Sequence, residues 1–208
     1  LARPAGQVVV AAQFVEHGAS DALRRERLEL DALRRIEAGQ RIGQADHADL
    51  DEVVDLESGQ NVFSDEDGNP TALFYGHIAG LQKYTTAVTA LLAPNVNSYR
   101  RLTFGESAPR NVQWGVENRT CGLRVPFSDP SARRVENRFA GADANPYLAL
   151  AATLACGYLG MLEKLEPMQE MKASAYDLPY SLPRSLEESL SHLEQCGPIK
   201  DMLGERFI

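Results

Sequence analysis

Two long apolar segments bracket the rest of this chain and limit what it can fold into. Residues 71–92 read TALFYGHIAGLQKYTTAVTALL and stop just before Pro94. A second run starts at Asn145-Pro146 and stays apolar to about Leu165. Both are too long for strands, so their length predicts helices. Proline ends the first because it cannot continue a helix interior. It opens the second because it fits the first helical position behind an Asn cap. Between the helices, 111–116 and 120–126 alternate or run apolar and predict two strands joined by a turn at Glu117-Asn118. Val135 to Phe139 reads as a third strand, and 95–110 and SDEDGNP (64–70) read as loops. Ser185 and Glu188 form a capping box for a last helix. Near the N-terminus, Val8 to Ala12, ending at Phe14, reads as a buried strand, residues 19–38 as a helix, and 39–60 as acidic and polar. DALRR occurs at Asp21 and Asp31, too little for a repeat architecture. The expected fold is α+β, an antiparallel sheet flanked by helices.

Charge and composition exclude several classes. The formal net charge of −8 argues against a grip on nucleic-acid backbones, while a local arginine cluster still suits a small phosphate. No run of 18 apolar residues exists, so no membrane partner is expected. The N-terminus lacks Met and a signal-peptide pattern, and reads as the middle of a longer protein. Cys121, Cys156 and Cys196 are widely spaced with no CxxC, which fits packing residues in a reducing, cytoplasmic setting. From Val15 to Val62 there is no aromatic residue, a mark of poor core material. His77 reads as a core histidine, Trp114 as a packing residue, and Asp65-Glu66-Asp67 as a solvated turn.

The chemistry concentrates in residues 97–138. Arg100, Arg101, Arg110, Arg119, Arg124, Arg133, Arg134 and Arg138 fall here outside any helical stripe. Arginine is a planar, permanently charged donor that grips carboxylate or phosphate at two points. On a strand of period two, Arg134, Glu136 and Arg138 share a face. On pattern alone that is either a structural ion-pair ladder or a site where Glu136 holds a divalent cation and the arginines an anionic substrate.

The run resembles the glutamine synthetase family. The matching pieces are SDEDGNPTALFYGHIAGLQKY (64–84), NVNSYRRL (95–102), APRNVQWGVENRT (108–120), GLRVP (122–126) and ARRVENRFAGADANPYLALAATLACGYLGM (132–161). The wording NVQWGVENRT and RRVENR resembles the γ-glutamylpolyamine synthetase branch. The resemblance implies an ATP-dependent ligase that phosphorylates glutamate and lets an amine, polyamine or ammonia, displace the phosphate. It implies a curved antiparallel sheet forming part of a funnel, with Mg²⁺ or Mn²⁺ at its waist, and a homo-oligomer in the full-length form. By motif, Glu136 matches a metal carboxylate. Arg138 and Arg101 match glutamate-site arginines. Arg119 and Arg124 match the pair on the phosphates of ATP, and Arg101 and Arg119 are the catalytic matches.

Some positions depart from that pattern. A loop glutamate of the ammonia-using enzymes falls at Ser107, with Glu106 adjacent, and a nucleotide-site lysine falls at Ser131. AGQVVVAAQF (5–14) resembles a family segment whose metal glutamate falls at Val9. A metal histidine falls at Ala48, beside His47. Two accounts fit residues 15–52: a divergent or decayed insertion, or a shifted reading frame, the second being favoured. This divides the chain into a divergent or frame-shifted part, 1–60, and the C-terminal part of the catalytic domain, 61–208. The rival function is a non-catalytic remnant of the family without a complete metal site.

Overall fold

The computed structural model describes Val8–Val9, Ile36–Ile42, Asp49–Asp55, 58–105 and 107–204. Helix α1 runs Ala72–Leu92 and α3 runs Pro146–Leu162. The Thr71 hydroxyl accepts from the Phe74 N–H, and the Asn145 side chain accepts from Tyr147 and Leu148. Both caps satisfy amides that a helix start leaves unpaired. The two helices pack at backbone contact. A Cβ on Gly80 would stand 2.2 Å from the Cys156 carbonyl oxygen and 2.7 Å from Gly160 Cα. Only glycine permits that approach.

A six-stranded sheet shares a core with this helix pair through residues such as Val53, Leu123 and Val135. Its strands are β1 Val8–Val9, β2 Ile36–Ile42, β3 Asp49–Asp55, β4 Trp114–Val116, β5 Leu123–Val125 and β6 Val135–Asn137. The spatial order is β1-β2-β3-β6-β5-β4. All pairings are antiparallel except β4–β5, which is parallel. Parallel neighbours usually need a crossover of a dozen residues. Here each strand is only three residues, so the 117–122 loop has little distance to retrace. Glu117, at φ 50°, turns the chain, and the Asn118 carboxamide oxygen accepts from the Thr120 amide and hydroxyl.

Two local expectations change. Residues 36–38, placed in a helix, open β2. The pairing Ile36↔Asp55 through Ile42↔Asp49 outweighs local helix preference, which tertiary context routinely overrides. Residues 19–35 lie outside the described residues. The 95–110 loop contains a short helix, α2, Ser98–Phe104. At two turns it is too short to show a period. Helices α4, Leu186–Gln195, and α5, Gly197–Leu203, close the fold. The Ser185 hydroxyl accepts from the Glu188 N–H, and Glu188 Oε2 accepts from the Arg184 N–H.

The core lies between the sheet and the helices. Ile78, Leu81, Leu92, Leu123, Val135 and Phe139 are almost fully buried there. Asn137 Nδ2 donates to the Thr153 hydroxyl of α3 at 2.9 Å. Alternation along β6 therefore turns Glu136 to the opposite face of the sheet.

Candidate functional site

That opposite face carries charge. In register, Arg124 of β5 stands across from Glu136 of β6. Arg124 Nη1 donates to Glu136 Oε2, and Nη2 donates to Glu117 Oε2 at 2.7 Å. The Glu136 side chain is 9% exposed and Arg124 15%, whereas Glu117 is 34% exposed at the rim. Burial works against the charge on Arg124. The hydrogen bonds to Glu117 and Glu136 outweigh it and raise the guanidinium above its ordinary pKa. Glu117 Oε1 also accepts the Phe127 N–H at 2.6 Å. Arg124 first, then the Phe127 amide and the nearby Arg119 charge, hold the Glu117 carboxyl below its usual range. Sequence reasoning placed Glu117 only in a turn. A single acidic residue in a turn gives no signal that it will reach back to a strand arginine seven residues on.

Arg138 stands on the other side of Glu136, Nε to Oε1 3.7 Å. Its Nη1 donates to the carbonyls of Arg119 and Cys121, and Nη2 to the Ser107 carbonyl at 3.0 Å. One guanidinium thus ties three backbone points around the site. Arg101, from α2, donates to the Phe139 carbonyl, one residue past Arg138. Burial lowers its pKa, with the Arg138 charge adding to that and Asp143 opposing it. Arg119 is exposed on the β4–β5 loop. The structure therefore gathers Arg124, Glu136 and Arg138 into one cluster, sets Arg101 beside it, and leaves Arg119 at its rim. Arg134 precedes β6 and donates to the Ala132 carbonyl at 3.1 Å; the second arginine on Glu136 comes instead from the next strand.

The described residues do not by themselves fit a divalent cation. Both Glu136 oxygens face guanidinium nitrogens. No group of three His, Cys, Asp or Glu that could hold a metal occurs among the described residues. Register sets Val9 opposite Gly39, Gly39 opposite Glu52, and Leu50 opposite Glu136. Position 9 is thus three strands from Glu136, about 14 Å at ~4.8 Å per strand. Oxygen ligands sit within about 2.6 Å of their ion. His47, Ala48 and Glu106 lie outside the described residues.

Other candidates are structural. His77 is 1% exposed, with its ring 5.1 Å from that of Phe63. Trp114 Nε1 donates to the Met168 carbonyl at 2.6 Å. Asp65 caps its own turn through the Asn69 N–H at 2.7 Å. Burial pushes the Cys121 thiol up to about 11, which removes it as a thiolate nucleophile. Ser131 sits in a single 3₁₀ turn, Pro130–Ala132. No helix among the described residues is long and apolar enough to cross a membrane.

Comparison with known proteins bears on this cluster. The model of the family "Glutamine synthetase, catalytic domain" matches residues 40–208. A glutamine synthetase of Pyrococcus abyssi is 38% identical over 159 residues, which is 72% of this chain and 36% of that protein. Gamma-glutamylputrescine synthetase PuuA of Escherichia coli is 40% identical over 152 residues, 72% of this chain and 32% of PuuA. A glutamate–isopropylamine ligase of a Pseudomonas species is 38% identical over 154 residues, 73% of this chain and 33% of the ligase. The chain spans about a third of the length of these curated relatives. Among solved structures, GmaS without ligand superposes with a TM-score of 0.65 at 29% identity, covering 76% of this chain and 37% of GmaS. A GmaS complex with ADP gives 0.64 at 28% identity, covering 76% and 39%.

Proposed function

The chain belongs to the glutamine synthetase family, and on that premise we propose that its arginine-lined sheet face is the phosphate- and glutamate-binding part of a glutamate–amine ligase. The observation that carries this reading is the Arg124–Glu136–Arg138 cluster, a buried carboxylate between two half-buried arginines at the motif positions. Arg119 and Arg124 receive the phosphates of ATP. Arg138 and Arg101 receive the carboxylate of glutamate. Transfer of a phosphoryl group spreads charge over its oxygens, and fixed cations at that point lower the barrier. In the full-length protein the product is a γ-glutamyl amide formed through γ-glutamyl phosphate. The amine is of the polyamine class, with ammonia the alternative, as the NVQWGVENRT wording resembles the polyamine branch. Glu136 orients both arginines in this chain. Any further cation ligands have to come from residues beyond those described or from a neighbouring subunit.

Calorimetry with ADP and with glutamate tests the assignment. ADP affinity should fall in Arg124→Ala and glutamate affinity in Arg138→Ala, each by about tenfold or more, the scale of a charge-assisted hydrogen bond. Unchanged affinities in both variants would show the carry-over of roles to be wrong.

A second reading is a family remnant that binds ligands without turning them over. Val9 supports it, because valine has no donor atom where the family segment carries a metal glutamate.

A further inference from the structure

Arg124 is already neutralised before any substrate arrives. Glu136 takes one nitrogen from behind, in the buried sheet face, and Glu117 takes the other from the rim at 2.7 Å. A guanidinium shared by two carboxylates offers an incoming phosphate little net attraction. The rear carboxylate is held in β6 by strand pairing on both sides. The front one is different. Glu117 occupies a left-handed backbone position, φ 50°, which non-glycine side chains adopt at a cost. It borders an open groove of about 440 Å³ that Lys172 and Glu170 also line. The carboxylate therefore has room to leave Arg124, at the loss of the Phe127 N–H bond at 2.6 Å, toward a groove that carries both a cation and a like charge.

We propose that Glu117 is a gate carboxylate: it occupies the phosphate seat on Arg124, must swing toward the groove for an anion to bind, and so sets the anion affinity of the site. The proposal rests on the reading of Arg124 as a phosphate ligand. It adds a specificity-determining residue whose effect is opposite to that of the arginines. Removing a charge that helps to hold a substrate weakens binding. Removing one that competes with the substrate strengthens it.

The test is calorimetric titration of the chain with inorganic pyrophosphate. Glu117→Gln keeps the shape of the side chain and removes its charge. Glu117→Asn is a second neutral variant suited to the left-handed backbone. Both should bind pyrophosphate about fivefold more tightly than wild type at low salt, the effect of one unit charge about 4 Å away in a water-like medium. The gain should shrink as ionic strength rises, because Glu117 is at the rim. It should vanish when Arg124→Ala is added. Equal or weaker binding in both neutral variants overturns the gate, as does the absence of measurable binding in every form, or a gain that survives Arg124→Ala. Wild-type affinity that is indifferent to Arg124→Ala refutes the phosphate reading together with the gate. Affinity that falls with Arg124→Ala but does not rise with either Glu117 variant refutes the gate alone.

Discussion

Arg138 shows how one side chain serves structure and recognition together. Two of its nitrogens are spent on the carbonyls of Arg119, Cys121 and Ser107, and Nε faces Glu136. A guanidinium has five N–H donors and four face these partners, so a bidentate grip on glutamate requires at least one of them, a carbonyl or Glu136, to be released. Arg138→Ala should therefore loosen the 107 and 119–121 backbone as well as weaken glutamate binding. Hydrogen exchange at those amides should accelerate by at least tenfold; unchanged protection would mean the three carbonyls are held by other means. Glu136→Ala leaves two half-buried guanidinium groups without their shared buried carboxylate. Breaking a buried pair from one side costs about 3 kcal/mol or more, and urea unfolding should show it. At this scale the motif singled out Glu136, Arg124 and Arg138, and the structure brings their side chains together. Glu117 was not legible, because its role depends on a left-handed turn that brings β4 and β5 parallel. Nor did the sequence disclose that Arg138 is committed to backbone carbonyls, since that depends on where three separate loops end.

At the scale of elements, the long helices were readable because their ends carry their own chemistry. Thr71 and Asn145 cap, and Pro94 and Pro146 set the limits. The short elements were not. Helix α2 buries only Ser98, Tyr99 and Leu102, and β2 gains its form from pairing with β3. The α1–α3 contact rests on glycines that a periodicity reading passes over. Gly80→Val should destabilise the chain by about 3 kcal/mol, since the added Cβ meets backbone atoms that have no rotamer to move. A loss below about 1 kcal/mol in chemical denaturation would mean that the helices separate at little cost. Asp143 joins α2 to the entry of α3. It accepts from the Ser98 hydroxyl at 2.5 Å and from Asn95 Nδ2 at 3.2 Å, and the Ser98 bond is the chief cause of its depressed pKa. A carboxyl whose folded pKa is depressed adds stability above its unfolded value of about 3.9. That stability is lost as pH falls through the folded value. The difference in Tm between wild type and Asp143→Ala should thus be largest near neutral pH and shrink as pH falls below the unfolded value. A difference that does not change with pH across the acid range would assign the effect to packing.

At the scale of the whole molecule, the arginine set and the cation set have come apart. The family match begins at residue 40, and the dense motif pieces lie between 61 and 166. Every arginine expected to hold an anion comes from there. Of the positions expected to hold cations, Glu136 lies within that stretch, while Val9 and Ala48 fall outside it and lack a side-chain donor atom. Groups that act as a unit in catalysis fail together when one is removed. Without enough bound cation, the charge growing on a transferring γ-phosphoryl group faces arginines alone. Two of those, Arg124 and Arg138, are partly neutralised by Glu136 and Glu117. A single carboxylate shared with two arginines should bind Mg²⁺ or Mn²⁺ no better than about millimolar, in the range of weak oxygen-ligand sites. The purified chain, given ATP, Mg²⁺, glutamate and either ammonia or putrescine, should therefore yield no γ-glutamyl amide above a heat-inactivated control. It should still bind ADP, because anion binding needs the arginines and not the missing ligands. The pairing of the two results carries the weight: ADP binding without turnover is the signature of an intact anion face on an incomplete centre. Product formation, detected by mass spectrometry and abolished by Glu136→Ala, would defeat this expectation. The cation ligands would then have to be sought around His47 and its acidic neighbours Asp46, Asp49, Asp51 and Glu52, which a His47→Ala variant would test directly.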